Sequence, residues 1–292
     1  MGAVTSLRIE LIGDPSVLEP WYDAAGSQKD NLCGAYWADI AVQAFTSHRF
    51  VDEEDAALVA GSVVPEGQTD PRVSFPWQGV GPGGVIVPSW PYRLALPSSA
   101  DGDALGTSAD GVKRAIEDLS VGELAVLPVQ HPRWTAGLVV DLIDALANLD
   151  AKKLLAIANI DTASFQTSRH SLADLLASVW AGRRLPSRPG DWSVGHFASL
   201  AGVIHGPADE LVIVRDTYRQ MGSRGYHLQP PTDVAAALDR DGTSAGGILL
   251  VAPPADLERL RSAITPFELI EHLWDNGSPA PPNGAAKSVS AP

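Results

Sequence analysis

The stretch GHFASLAGVIHGPADELVIVRDTY, residues 195–218, contributes most to the fold prediction. Two apolar segments, GHFASLAGVI and ELVIVRDTY, are separated by HGPAD, whose Gly and Pro are typical of a turn. The pattern predicts an antiparallel β-hairpin. Because the start of one strand lies beside the end of its antiparallel partner, His196 and Asp216 should be neighbours.

A second informative stretch, GSQKDNLCGAYWADI at residues 26–40, contains the single cysteine of the chain, Cys33. Apolar residues recur at helical spacing from residue 32 to about residue 47. Asp30 and Asn31 are both favourable N-cap residues. The sequence therefore predicts a helix whose first turn carries Cys33.

Periodicity and turn signals predict the other elements. Strands are expected in SLRIELIG, GVIVP, YRLALP, GELAVLPVQ, KLLAIANI and GGILLVAP. Helices are expected in VDEEDAALVAGSVV, ADGVKRAIEDL (capped by Ser108), RWTAGLVVDLIDALANL, SLADLLASVWAG, PTDVAAALDR (opened by Thr232), PADLERLRSAI and PFELIEHLW. The segment DPSVLEPWYDAAGSQ is predicted to be a loop or a short turn of helix. Helices come first and strands later in one chain, which indicates an α+β fold.

The chain has 292 residues, 45% of them hydrophobic, which is enough to bury a sizeable core. We predict a single domain over residues 1–276, with an insertion at about 62–107 that is dense in Pro and Gly. Residues 277–292 are small, polar and rich in Pro, so this tail is predicted to be disordered.

Composition excludes several classes of function. The formal net charge of −14, with no basic run, argues against nucleic acid as a partner. The apolar runs are too short to span a bilayer, and no signal peptide is recognisable, so a cytoplasmic protein without a membrane partner is expected. One cysteine excludes an internal disulfide and cysteine-rich zinc sites. We expect neither metal nor cofactor, and the oligomeric state stays open.

The candidate chemistry is that of an activated thiol. Both a helix N-terminus and an adjacent imidazolium favour the thiolate form of a cysteine. His196 could supply the imidazolium to Cys33, and Asp216 could orient its ring. The amide of Gln28, five residues before Cys33, could stabilise an oxyanion together with the Cys33 backbone N–H. The predicted site is therefore Cys33, His196, Asp216 and Gln28.

Two other histidines near the hairpin receive different interpretations. His205 lies in the predicted turn and is expected to be solvated. His227 follows the strand that ends at Asp216 and is a candidate for lining the cleft.

The two blocks Q-KDNL-CGAYWA and GHF-ASLAG with VIVRDTY resemble the papain-like cysteine peptidases. The likeness is greatest to the bacteriocin-processing peptidases that remove double-glycine leaders, and to their soluble relatives. The resemblance implies a helix carrying Cys33, packed against a later antiparallel sheet carrying His196 and Asp216. It also implies that Cys33 attacks, His196 acts as base, Asp216 orients it, and Gln28 forms the oxyanion hole.

This chain departs from the family's pattern in two places. Gln28 is one residue closer to the cysteine than is usual in papain-like enzymes. Thr217 and Tyr218 follow Asp216 where the family commonly has a proline.

The expected function is a cysteine-nucleophile enzyme acting on a peptide or amide bond through a thioester, as a hydrolase or an acyltransferase. A composition rich in Ala, Gly, Pro and Asp suggests an actinobacterial source, where a stand-alone protease or tailoring enzyme could mature peptide natural products. One alternative is a catalytically inactive papain-like module that binds a leader peptide or another partner. Another is a structural α+β domain with an inert cysteine.

Overall fold

The computed structural model describes residues 6–48, 51–67, 77–80, 86–89, 92–165, 172–183, 193–219, 221–240 and 246–279. The helices are α1 (Pro15–Ala25), α2 (Cys33–Phe45), α3 (Glu53–Ala60), α4 (Ala109–Leu119), α5 (Ala136–Ala147), α6 (Leu172–Ala181), α7 (Pro231–Asp239) and α8 (Leu257–Ile264). The strands are β1 (Arg8–Leu11), β2 (Val64–Pro65), β3 (Trp77–Val80), β4 (Ile86–Ser89), β5 (Ser98–Ser99), β6 (Ala125–Gln130), β7 (Leu155–Asp161), β8 (Gly195–His205), β9 (Glu210–Arg215), β10 (Tyr226–Gln229), β11 (Gly247–Ala252) and β12 (Ile270–Glu271).

An eight-stranded sheet organises the fold, with strand order β10-β9-β8-β7-β11-β6-β12 and with β1 paired to β8. Each of these described pairs is antiparallel. The predicted hairpin is confirmed, because β8 and β9 pair from His205 opposite Glu210 to Ser199 opposite Arg215. The general α+β prediction is therefore confirmed as well.

Helices cover both faces of the sheet, because successive strand residues point to opposite sides. On one face, α1, α2, α3 and α4 pack in one apolar cluster with Leu155, Ile157, Leu249 and Val251. On the other face, α5, α7 and α8 pack with Ala156, Ala158, Ile248 and Leu250. The central strands β7 and β11 are consequently buried on both sides, which explains their almost uninterrupted apolar sequences.

The helix α2 is tied directly to β8. The buried Trp37 donates from Nε1 to the Phe197 carbonyl oxygen at 3.1 Å. The Tyr22 ring of α1 lies parallel to Trp37 with ring centroids 5.8 Å apart. These contacts hold the N-terminal half of α2 against the start of the hairpin.

The predicted caps of α2 are wrong, although the helix itself is confirmed. Its N-cap is Leu32, which makes no side-chain capping bond. Asn31 adopts a left-handed backbone with φ of 59° instead, a conformation that Asn tolerates better than most residues. The left-handed turn redirects the chain into the helix without a cap from Asp30 or Asn31.

Several other local predictions are also corrected. The segment expected to be a loop forms α1, because the Asp14 side chain accepts the Ser16 N–H and Pro15 stands at the first helical position. The helix predicted in PFELIEHLW is absent: Glu268 is left-handed, and β12 pairs with β6. The helix α7 begins at Pro231 rather than at Thr232.

The Pro- and Gly-rich insertion is partly described. β2 and β5 form a parallel pair, and β3 and β4 form an antiparallel pair. β4 contains the last three residues of the predicted strand GVIVP, whose first two residues lie outside the described residues. The predicted strand YRLALP is not formed, although its Tyr92 and Leu96 are buried in the cluster of α1 to α4. The predicted disordered tail falls outside the described residues from residue 280 onward.

Among the helices of the described residues, none has the length and apolar character needed to cross a bilayer.

His205 is not a solvated turn residue as expected. It is 9% exposed, and its two ring nitrogens lie 2.8 Å from Glu210 and 2.8 Å from Asp144. Its position at the end of β8 places it between two acidic side chains.

Gly34 allows α2 to approach its neighbours closely. A Cβ at this position would lie 2.6 Å from Val112 Cγ2 of α4 and 3.2 Å from Phe197 Cδ2 of β8. Contacts below 3.0 Å require the surroundings to move, so the residue after Cys33 has no room for a side chain.

We expect Gly34→Ala to lower the free energy of unfolding by about 1–3 kcal/mol, because a methyl group must be forced into filled space. Gly137→Ala is the matched control, since Gly137 also lies in a helix and has no neighbour within 4 Å of an added Cβ. This control should leave stability unchanged or raise it by up to about 1 kcal/mol. Urea unfolding of both variants measures the difference, and equal stability would contradict the tight packing at Gly34.

Candidate active site

Cys33 is the first residue of α2 and is partly exposed. The first backbone N–H groups of a helix have no partner within it and carry a partial positive charge. The sulfur therefore lies beside the partial positive charge of the helix N-terminus.

The segment from residue 28 to residue 32, just before the cysteine, is held by the helix α3. The Glu53 carboxylate accepts the Lys29 backbone N–H at 3.0 and 3.1 Å. The Lys29 ammonium pairs with the buried carboxylate of Glu54. From the insertion, the Tyr92 hydroxyl donates to the Asp30 carbonyl oxygen. The position of Cys33 is thus fixed from two sides.

The structure brings His196 and Asp216 together, as the hairpin predicted. His196 Nε2 lies 3.2 Å from Asp216 Oδ1, and both side chains are almost completely buried. Cys33 lies close enough to the same imidazole to contribute to raising its pKa. Because Nε2 faces the carboxylate, Nδ1 is the nitrogen left to the sulfur.

The charged forms of His196 and Asp216 are strongly favoured. Burial by itself lowers the pKa of His196, but the Asp216 carboxylate and then Cys33 outweigh that effect and raise it to about 10. Burial likewise raises the pKa of Asp216, and His196 with His227 more than reverses this, so the net pKa is well below its usual value. The pair is therefore an imidazolium and a carboxylate at neutral pH.

Asp216 has further partners on both carboxylate oxygens. The backbone N–H of Tyr218 donates to Oδ1 at 2.9 Å, and His227 Nε2 lies 3.4 Å from Oδ2. Gln229 Nε2 lies 2.9 Å from the opposite nitrogen of His227. His227, a candidate for lining the cleft, thus lies buried against the carboxylate instead and restrains its orientation.

Gln28 is buried and lies beside the same pair. Its Nε2 donates to the Tyr218 hydroxyl at 3.1 Å, and its Oε1 accepts from the Thr217 hydroxyl. The Thr217 oxygen is 3.4 Å from His196 Nε2. A primary amide has two N–H groups, so the contact with Tyr218 leaves Gln28 a second hydrogen for another acceptor.

Tyr218 also covers the imidazole. Its ring stacks on His196 with centroids 5.8 Å apart and planes 12° from parallel. Burial raises the pKa of the Tyr218 phenol well above its ordinary value, with contributions from Asp30 and Cys33, so the hydroxyl stays neutral. In the sequence, Thr217 and Tyr218 stood out only as departures from the family's pattern. Their role in joining Gln28 to His196 was not predicted.

Cys33 opens onto a cleft of about 540 Å³. The lining includes Cys33, Asn31, Asn159, Gly195, Phe197 and Arg240. Gln28 is not among the described residues that line it. The volume suits a short peptide segment or a small ligand. Asn159 and Arg240 were not identified from the sequence, although an Asn within the apolar strand KLLAIANI is a signal of a buried polar contact.

The described part of the chain holds no group of three or more His, Cys, Asp or Glu side chains arranged for a metal ion.

The chain belongs to the DUF6885 family, a family of unknown function, which it matches over residues 13–275. That range includes Cys33, His196, Asp216 and Gln28. No match was found among curated proteins.

We expect the stability of the fold to fall with rising pH through the titration of His196. Its pKa of about 10 in the folded state exceeds the ordinary value of about 6.5, so the folded chain keeps a proton that the unfolded chain loses. The resulting stabilisation is fully present below about pH 6.5 and disappears as the pH approaches about 10. In urea unfolding, the free-energy difference between wild type and His196→Gln should shrink across this window.

His48→Gln is the control for this experiment, since His48 follows the far end of α2 and is partly exposed. Its curve should run parallel to that of the wild type. A constant difference between wild type and His196→Gln from pH 6.5 to pH 10 would contradict the raised pKa of His196.

Proposed function

We propose that this chain is a cysteine-nucleophile enzyme that cleaves or transfers an acyl group at a peptide or amide bond. The observation that carries the proposal is the arrangement of Cys33 at a helix N-terminus, beside an imidazole that lies 3.2 Å from the Asp216 carboxylate. A nucleophile, a base and a group that orients the base form the general pattern of covalent catalysis.

The proposed mechanism begins with the thiolate of Cys33 and the imidazolium of His196. The sulfur attacks the carbonyl carbon, an S–C bond forms, and the carbonyl electrons move to oxygen. The oxyanion collapses, the C–N bond breaks, and His196 gives its proton to the departing nitrogen. In a hydrolase, His196 then takes a proton from water, which attacks the thioester and releases the acid. In a transferase, an amine takes the place of water.

Asp216 supports this cycle by keeping the imidazole protonated and correctly oriented before attack. Tyr218 excludes water from one face of the ring, which strengthens the interaction between the imidazolium and the carboxylate. Gln28 is the proposed side-chain donor to the oxyanion, with the Cys33 backbone N–H as the second donor. Gln28 has a second amide hydrogen, which supports this role. To donate that hydrogen to an oxyanion in the cleft, the Gln28 side chain would have to rotate towards the cleft.

We further propose that the fold is papain-like. The support is the helix α2 carrying Cys33, packed through Trp37 on the strand that carries His196, with Asp216 at the end of the next strand. This arrangement of elements agrees with the resemblance in the two sequence blocks. A role in maturing peptide natural products is a narrower proposal that rests on that resemblance alone.

The reactivity of the single cysteine tests the proposed ion pair. Because a thiolate is the reactive form, iodoacetamide should alkylate Cys33 rapidly at about pH 6, and His196→Ala should slow the reaction by about tenfold or more. Mass spectrometry of the intact protein gives the rate. His48→Ala, at the far end of α2, should behave as the wild type.

An ordinary thiol reacts increasingly near pH ~8.5. The same profile in wild type and His196→Ala, or no reaction in either, would contradict the enzyme proposal. The binding module or the structural domain with an inert cysteine would then remain.

The role of Gln28 is tested by separating turnover from alkylation. Loss of one oxyanion donor typically costs about 10²–10³ in kcat. Gln28→Ala should therefore lower the turnover of a fluorogenic peptide amide by that factor, whereas alkylation, which forms no oxyanion, should fall far less. Thr217→Val is the matched comparison, because it removes the hydrogen bond to Gln28 Oε1 and keeps the amide. Equal losses in both assays for Gln28→Ala would contradict an oxyanion role.

A further inference from the structure

The strand β1 and the residue before it expose a row of apolar side chains. Leu7 is 39% exposed, Ile9 56% and Leu11 39%, although Leu and Ile are among the residue types most often buried. They alternate with Arg8 and Glu10, so the three apolar side chains lie on one face of the strand. Adjoining exposed apolar side chains indicate an interaction surface, which isolated ones do not.

The opposite face of β1 is covered by the helix α5. Arg8 Nη1 lies 2.9 Å from Glu10 Oε1, and Arg8 Nη2 lies 3.9 Å from Asp144 Oδ2 of α5. Ile12, just after the strand, is buried in the apolar cluster that contains α5. The charged side chains of β1 therefore point towards α5, and its apolar side chains point away from the helix.

β1 also has an open edge. Among the strands of the described residues, it pairs only with β8. The Ile12 N–H donates to the Ala201 carbonyl oxygen at 3.0 Å. Because successive residues of a strand direct their backbone groups to opposite edges, every second residue back to Arg8 also faces β8, whereas Ile9 and Leu11 face the open edge. Such an edge can pair with a strand of another chain.

The sequence around Ile9 is complementary to its own reverse. The segment LRIEL, residues 7–11, has Leu at both ends and opposite charges at Arg8 and Glu10. Consider two copies paired antiparallel, with Ile9 opposite the partner's Ile9. Arg8 then lies opposite Glu10 of the partner subunit, and Leu7 lies opposite Leu11 of the partner subunit. Opposite charges and apolar side chains are both favourable cross-strand pairs.

The two neighbouring symmetric registers are unfavourable. A pair centred on Arg8 places two guanidinium groups opposite each other, and a pair centred on Glu10 does the same with two carboxylates. Both centres also have backbone groups that face β8 rather than the open edge. Of these three registers, the one centred on Ile9 satisfies the charges and the backbone hydrogen bonds together.

The helix α6 adds apolar surface beside β1. Ile204, opposite Ile9 in the ladder with β8, belongs to the small apolar cluster that contains Val179 of α6. On the same helix, Leu176 is 36% exposed and Trp180 is 53% exposed. A pair of short strands buries less than the about 1,200 Å² at which stable interfaces begin, so we expect these side chains to contribute to the contact.

We propose that a second copy of this chain binds along the open edge of β1, with the two β1 strands antiparallel about a two-fold axis at Ile9. The sheet then continues from β8 and β1 of one subunit into β1 and β8 of its partner. The interface lies at the end of β8 opposite to His196, so it does not depend on the proposed function. Because the strands are short and each copy carries a formal net charge of −14, we expect a dissociation constant on the order of 10 µM.

Sedimentation equilibrium of the full chain tests the proposal. Between ~1 and ~200 µM, the mass of the wild type should rise from that of one chain towards that of two. Ile9→Lys places two ammonium groups opposite each other at the two-fold axis and should weaken the dimer about tenfold or more. Leu58→Lys is the matched control, because Leu58 is a 47% exposed apolar residue of α3, and it should dimerise as the wild type does.

Two charge reversals test the register. Arg8→Glu places carboxylates opposite Glu10 of the partner subunit, and Glu10→Arg places guanidinium groups opposite Arg8 of the partner subunit. Each variant alone should dimerise about tenfold or more weakly than the wild type. An equimolar mixture of the two should recover the dimer, because every cross-strand pair between the two chains then has opposite charges. Recovery also shows that both variants fold.

A wild type that stays monomeric up to ~200 µM would overturn the proposal. A dimer that Ile9→Lys leaves as strong as the wild type would do the same, because the contact would then lie on another surface. So would charge variants that remain monomeric when mixed, provided that each unfolds in urea as the wild type does.

Discussion

The structure depends on one buried ion pair, between His196 and Asp216. Taking two opposite charges out of water is costly, and the attraction between them repays that cost only when other hydrogen bonds complete the site. Asp216 receives such bonds from His227 and from the Tyr218 backbone. Tyr22 of α1 donates to the Asp216 carbonyl oxygen at 2.6 Å, so the first helix supports the same residue.

The pair also explains why distant parts of the chain are packed as they are. α2 must place its N-terminus beside the start of β8, and Gly34 and Trp37 make that approach possible from two sides. The segment before Cys33 is tied to α3 by Lys29 and to the insertion by Asp30. The insertion thus contributes to the site by fixing the residues that precede the thiol.

The sequence predicted the hairpin and the helix of Cys33 because both signals are local. Apolar segments around a Gly-Pro turn specify β8 and β9, and helical spacing specifies α2. The segment of α1 was predicted to be a loop or a short turn of helix, whereas the Asp14 cap and Pro15 at the first position start a helix that continues through Pro20. The predicted C-terminal helix failed because pairing of Ile270 and Glu271 with β6 overrides local preference.

The contacts within the site were harder to predict because they join remote segments. Gln28 and Tyr218, 190 residues apart, meet only through the packing of α1 and α2 on the sheet. Arg240 reaches the cleft from the end of α7 because Asn159 on the central strand accepts its guanidinium. The predicted helix and hairpin pointed to Cys33, His196 and Asp216, whereas these supporting partners follow only from the three-dimensional arrangement.

The central claim, a charged imidazole held between a carboxylate and a thiol, is tested most directly by the protonation state of His196. Nitrogen-15 NMR of histidine-labelled protein, with His196→Gln to assign the signal, reports both ring nitrogens. The account predicts that Nδ1 and Nε2 are both protonated at pH 8 and remain so until the pH approaches about 10. A neutral ring at pH 8 that titrates near the ordinary value of about 6.5 would contradict it.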